Sequence, residues 1–249
     1  MSRLTRPVTV NENPNPAKKF LHWKSNDQCF EWFNKELKNE KCKGKVKVEL
    51  PLKVLFLEHY HTVKGWSDSA NSGIWSNEVF STISEEIEVR NANGVIVKGI
   101  YNQNKATINN AGGKYHRSVY CMTEDGEIIN LQLKGSAVGG IAEDKSVDGK
   151  LHLGWNAFHS GDKKKKIKGH SHLMDNQWIE INGVAEGKSG AVKYCIPKFE
   201  MGEVISRETY ALANEAAARL QAYMDVYFDK EKEVEQELEP VANLDDLDF

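Results

Sequence analysis

Long apolar runs are missing from this sequence. None approaches the ~20 residues that cross a bilayer as a helix, and the first residues carry no apolar core of a secretory leader. A cytoplasmic chain with no membrane partner is therefore expected. Cysteine is scarce, with Cys29, Cys42, Cys121 and Cys195 far apart and no C-x-x-C pair. That spacing argues against a metal cage and for small structural thiols in a reducing compartment. No G-x-S-x-G elbow is present. Gly183 to Ser189 resembles a phosphate loop but has one residue too few between its glycines, and it lies between two strand signals rather than before a helix. Asp175 with Glu186-Gly187-Lys188 has the outline of a metal-dependent nuclease signature, and His59-x-His61 and His170-x-His172 offer metal nitrogens without a well-spaced third ligand. The expectation is no enzyme and no cofactor. A metal-dependent nuclease, or an adaptor or virion protein that does not bind DNA, is the alternative.

What is present is a division of charge. The chain carries a formal −3. From Asp225 to Phe249 there are ten acidic residues against two lysines, a net of −8 that leaves +5 for residues 1–224. A mildly basic body with an acidic tail suits a polyanion-binding domain joined to an interaction segment.

Strand signals dominate the body. Lys45 to Leu50 alternates, Pro51 interrupts, and Leu52 to Tyr60 resumes, a pattern read as one long strand bent at the proline. Further strands are expected over 78–90, 95–101, 116–123 and 127–134, with Asp125-Gly126 a two-residue hairpin turn between the last two. Another hairpin joins 178–186 to 191–199. Asn26 or Asp27 suits the cap of a short N-terminal helix whose stripe is Phe30, Phe33 and Leu37, although a strand or turn is a second reading of that stretch. Long loops are expected at 61–77, 102–115 and 143–175. Ala213, Ala216, Leu220, Tyr223 and Tyr227 give the apolar stripe of a C-terminal helix from about Ser206 to Phe228. The organisation expected is a flexible arm over 1–19, a β-rich domain with a C-terminal helix over 20–228, and a disordered acidic tail over 229–249.

The tail ends in an unusual way. Leu244, Leu247 and Phe249 are interleaved with Asp245, Asp246 and Asp248. A terminal aromatic ring with its carboxylate fits a small apolar pocket with a basic rim, towards which the aspartates steer it. On Asp245-Asp246-Leu247-Asp248-Phe249 the chain resembles bacterial and phage single-stranded DNA-binding proteins. Phe20 to Lys24, Val63 to Asp68 and Ile74 to Val79 look like segments of the relatives from tailed bacteriophages. The resemblance implies a mainly β, OB-like barrel with extra strands that coats single-stranded DNA in replication, recombination and repair. It also implies that the acidic tip (Asp245, Asp246, Leu247, Asp248 and Phe249) recruits partner proteins.

Binding of single strands without sequence preference needs cations for phosphates and exposed aromatic faces for bases. Trp66 and Trp75 flank a Gly/Ser/Asn-rich stretch, and Lys114-Tyr115-His116-Arg117-Ser118-Val119-Tyr120 interleaves cations with rings. Tyr60, Tyr101 and Trp155 are further candidates. For each ring a place in the core is the competing reading. Lys163, Lys164, Lys165, Lys166 and Lys168 form the densest basic run, read either as a phosphate clamp or as a solvated loop.

Overall fold

The computed structural model describes residues 14–38, 43–144 and 150–238. In chain order the strands are β1 (Lys19–Lys24), β2 (Cys29–Lys38), β3 (Lys43–Val48), β4 (Leu52–Ser67), β5 (Ser72–Ser76), β6 (Glu86–Asn91), β7 (Gly94–Ile100), β8 (Gly113–Thr123), β9 (Ile128–Lys134), β10 (Ile141–Asp144), β11 (Lys150–Leu153), β12 (Gln177–Ser189) and β13 (Val192–Val204). The helices are α1 (Tyr101–Asn110), α2 (Ser136–Gly139), α3 (Trp155–Ser160) and α4 (Arg207–Leu238). None of them is long and apolar enough to cross a membrane.

One mixed sheet organises the chain in the order β3-β2-β1-β9-β8-β4-β5-β6-β7, with the β12–β13 hairpin attached to the start of β4. β1 runs parallel to β9, and the other pairings are antiparallel. Its path is open among the described residues: β3 and β7 are the two edges and do not pair into a ring. β10 and β11 form a separate ribbon.

Because side chains alternate along a strand, each face of the sheet has its own fate. On one face Leu21, Trp23, Phe30, Val119, Leu131 and Leu133 meet α2 and α3 through Ala137, Val138, Trp155 and Phe158. Farther along that face Val63, Ile74, Val89 and α1 residues Tyr101 and Ile108 form a smaller core. The opposite face is covered at one end only, where α4 lays Ala213, Ala216, Leu220 and Met224 over Leu55, Tyr60, Tyr120, Met122 and Ile128. The stripe read from sequence is the stripe that packs, with Tyr223 and Tyr227 at its margin.

Several expectations need correcting. The short N-terminal helix is strand β2: Phe30 pairs inward with Trp23, their rings edge to face at 5.1 Å, while Phe33 and Leu37 point to solvent. A cross-strand aromatic pair over the main core outweighs a three-residue helical stripe. Pro51 does not bend one strand but separates two, after a cis Leu50–Pro51 bond; β3 lies at the sheet edge and β4 at its centre. The irregularity in β4 lies instead between Phe56 and Glu58. The expected loops at 61–77 and 102–115 are largely the β4–β5 hairpin and α1. Of the strand expected over 78–90, only Glu86 onward pairs as one. α4 continues ten residues past Phe228, through Glu-, Lys- and Gln-rich sequence of good helix propensity. Within the expected arm, Ala17 is already buried and the Lys18 N–H donates to the Ile128 carbonyl at 3.2 Å. The tail tip, Asp245 to Phe249, and Cys42 lie outside the described residues.

Candidate nucleic-acid interface

The part of the second face that α4 leaves uncovered is cationic. Sheet register brings Lys114, Lys64, Trp75 and Arg90 into one row across β8, β4, β5 and β6. Trp66, two residues along β4 from Lys64, shares this face and stands diagonal to Trp75. Its direct partner is Gly73, whose missing side chain leaves the indole uncrowded. Trp66 is 54% exposed and Trp75 47%.

Backbone geometry holds Trp66 in place. Gly65 lies opposite Gly113, and a Cβ on Gly65 would come within 2.2 Å of the Gly112 carbonyl oxygen. Gly112 itself has φ +96° and abuts the Trp66 carbonyl. This close approach, which only glycine allows, lets the turn from α1 into β8 press against the β4 backbone at Trp66.

The row extends over β9 and β1. His116 pairs with Lys134 and His22 with Gln132, which places Lys24 on the same face. Burial, then the charges of Lys64, Lys24 and Lys134 among others, lowers the pKa of His22 to about 4. Burial also lowers His116 to about 4, reinforced by the same lysines against its hydrogen bond to the Lys114 carbonyl. Lys64 and Lys134 are lowered as well, chiefly by burial, and Lys134 also by Lys24. Like charges set opposite one another destabilise a sheet, so this concentration is a local cost to the fold.

The counter-charges are few. Glu31 reaches Lys24 and Lys45, each at 3.7 Å, and Glu88 pairs with Arg90. Glu78 sits at the floor, accepting from Ser118 and from the Tyr120 hydroxyl at 3.0 Å. Burial raises its pKa, against those hydrogen bonds and Lys64. Ser118, Asn130 and Gln132 form a fully buried polar band between this floor and the α4 core.

The other candidates are scattered. Tyr60, Tyr101, Tyr120 and Trp155 are buried and offer no face to a base. Tyr115 and Arg117 point to the opposite side of the sheet, beside His61. Lys163, Lys164, Lys165, Lys166 and Lys168 form a solvent-exposed turn closed by an Asp162–Ile167 bridge just after α3, also on the opposite side. Sequence reading missed Lys24, Lys64, Arg90 and Lys134, with the neutral ring of His22 among them, because each stands apart in its own strand and only pairing collects them.

Asp175 and Glu186 are exposed, and among the described residues no three His, Cys, Asp or Glu side chains converge to hold a metal ion. No family model matches the chain, and neither a curated protein nor a solved structure matches it.

Proposed function

We propose that the protein binds single-stranded DNA along the uncovered face, with bases on Trp66 and Trp75 and phosphates on Lys24, Lys64, Lys114, Lys134 and Arg90. The observation that carries this reading is the row Lys114–Lys64–Trp75–Arg90, with an exposed indole diagonal to it. Half-exposed indoles contribute little to folding, and with the cations crowded beside them they match the two requirements of sequence-tolerant strand binding. A double helix would present its bases edge-on and leave the indoles without stacking partners.

This assignment corresponds to a single-stranded DNA-binding protein of the bacterial and phage type, acting in replication, recombination and repair. Its body is read as an OB-like β domain whose ring of strands stays open. The acidic tip ending in Phe249 is read as the recruiter of partner proteins, separate from the DNA face. Poly(dT) added to the intact chain is expected to quench tryptophan emission to a stoichiometric end point. The quenching should be lost in Trp66→Ala/Trp75→Ala. Absence of quenching and of salt-sensitive binding would overturn the reading. Removing Phe249 is expected to leave poly(dT) binding unchanged.

A further inference from the structure

The face opposite the proposed DNA track carries a second polar cluster, which that reading does not use. Arg117 of β8 is only 9% exposed and makes no ion pair among the described residues. Buried guanidinium groups are normally matched by a carboxylate. The acidic side chain whose charge reaches it, Glu58, instead accepts a hydrogen bond from the His59 backbone N–H at 2.7 Å.

Two of the five N–H groups of Arg117 are used. Nε donates to Asn156 Oδ1 at 3.3 Å and Nη1 to His61 Nε2 at 2.6 Å. Arginine can only donate, so His61 Nε2 is the bare nitrogen and its Nδ1 carries the hydrogen. That hydrogen faces the Tyr115 hydroxyl oxygen at 2.5 Å, with the Phe80 backbone as a second acceptor for the ring, so the phenolic O–H is not spent on His61. His59 is fixed in the other tautomer: its Nδ1 accepts from Trp155 Nε1 at 3.0 Å, so Nε2–H is its remaining donor. The His159 ring of α3 lies against His59, centroids 4.4 Å apart, with its Nδ1 2.8 Å from the Ser160 hydroxyl, and the charge of Arg117 reaches both rings. The unused capacity of Arg117 and His59 is all donor, and Tyr115 adds its O–H, so donors gather around a fixed positive charge. The exposed lysine turn begins two residues beyond α3 and adds positive potential nearby.

We infer that Arg117, His59, His159 and Tyr115 form a binding site for a phosphate group. A tetrahedral phosphate is acceptor-rich and anionic, and the guanidinium fork matches it in a bidentate manner. The source is either free phosphate or the phosphomonoester at a DNA strand end.

The test is a titration of the intact chain with inorganic phosphate, set against sodium chloride at equal ionic strength and followed by the histidine ring resonances in NMR. Saturable shifts of His59, His61 and His159, with His172 unmoved, are expected. Shifts that grow linearly and equally in chloride would overturn the site. Arg117→Gln should abolish saturation. Because a buried arginine also bears on folding, His159→Gln at the partly open rim provides the second variant. It is expected to weaken binding about ten-fold, the loss typical of one hydrogen bond to a charged group; unchanged affinity in a folded His159→Gln would equally overturn the assignment. A short oligothymidylate with and without a 5′-phosphate separates the sources. A gain from the 5′-phosphate that His159→Gln removes assigns a strand end, and equal affinities with saturable inorganic phosphate assign the free ion.

Discussion

At the residue scale the two indoles and the buried histidines make opposite statements about what the fold gains. Trp66 and Trp75 leave about half their surface in water, so truncating either should barely change stability. Each alanine variant is expected to weaken poly(dT) binding by about 1–3 kcal/mol, the usual contribution of one base–ring stack. Fluorescence titration at fixed salt measures the loss, while an unchanged melting temperature separates it from unfolding. The histidines act through pH. His22, His61 and His116 are lowered to about 4 and His59 to about 3, in each case mainly by burial. Between pH 6.5 and about 4 the unfolded chain binds protons there that the folded chain refuses. Stability is therefore expected to be greatest above pH 6.5 and to fall on acidification, by up to about 1.4 kcal/mol per pH unit for each ring. Glu78, whose pKa is raised, works in the opposite sense as one group against four. Thermal melts from pH 7.5 to 4.5 give the slope. Nucleic acid on the lysine face is expected to favour protonated His22 and His116, so that poly(dT) should soften the acid loss.

At the element scale, pairing rather than propensity decides where the candidate site lies. The β4–β8 junction depends on Gly65 and Gly112, both of which abut backbone oxygens. Gly65→Ala is expected to force the strands apart, costing about 1–3 kcal/mol as an overpacked site does, and to lower poly(dT) affinity by displacing Trp66. Urea denaturation together with DNA titration reads both effects; loss of stability with full affinity would show that the glycines serve the fold alone. The same scale explains which elements were legible. α4 was readable because its stripe repeats over many turns, and the β8–β9 hairpin because Gly126, at φ +75°, follows Asp125 in the short connection between Thr123 and Ile128, although that connection is longer than the two-residue turn the sequence suggests. Helix α1 was not readable, since Tyr101 and Ile108 alone anchor it among eight largely polar residues. β2 was misread because Phe30, Phe33 and Leu37 fit a helical period by chance, and only the partner strands β1 and β3 show that Phe30 alone faces inward.

At the scale of the whole molecule, charge is sorted by sheet face and by chain end. Five cations line the proposed strand track, so the logarithm of poly(dT) affinity is expected to fall with that of salt with a slope of at most about −3.5. Replacing Lys163, Lys164, Lys165 and Lys166 with glutamine should leave this slope unchanged, because their turn lies across the sheet from the track. A clearly shallower slope would return that turn to the DNA path. By itself the sequence determined the β-rich character, the docked stripe of α4 and the contrast between a basic body and an acidic end. Each of these is written in local periodicity or simple charge counts. Only the tertiary structure decided which aromatics face water, that Tyr60, Tyr101 and Tyr120 are core, and that lysines from β1, β4, β8 and β9 share one surface. Strand register joins residues up to about a hundred positions apart, and one sequence carries no local signal of which strand will lie beside which.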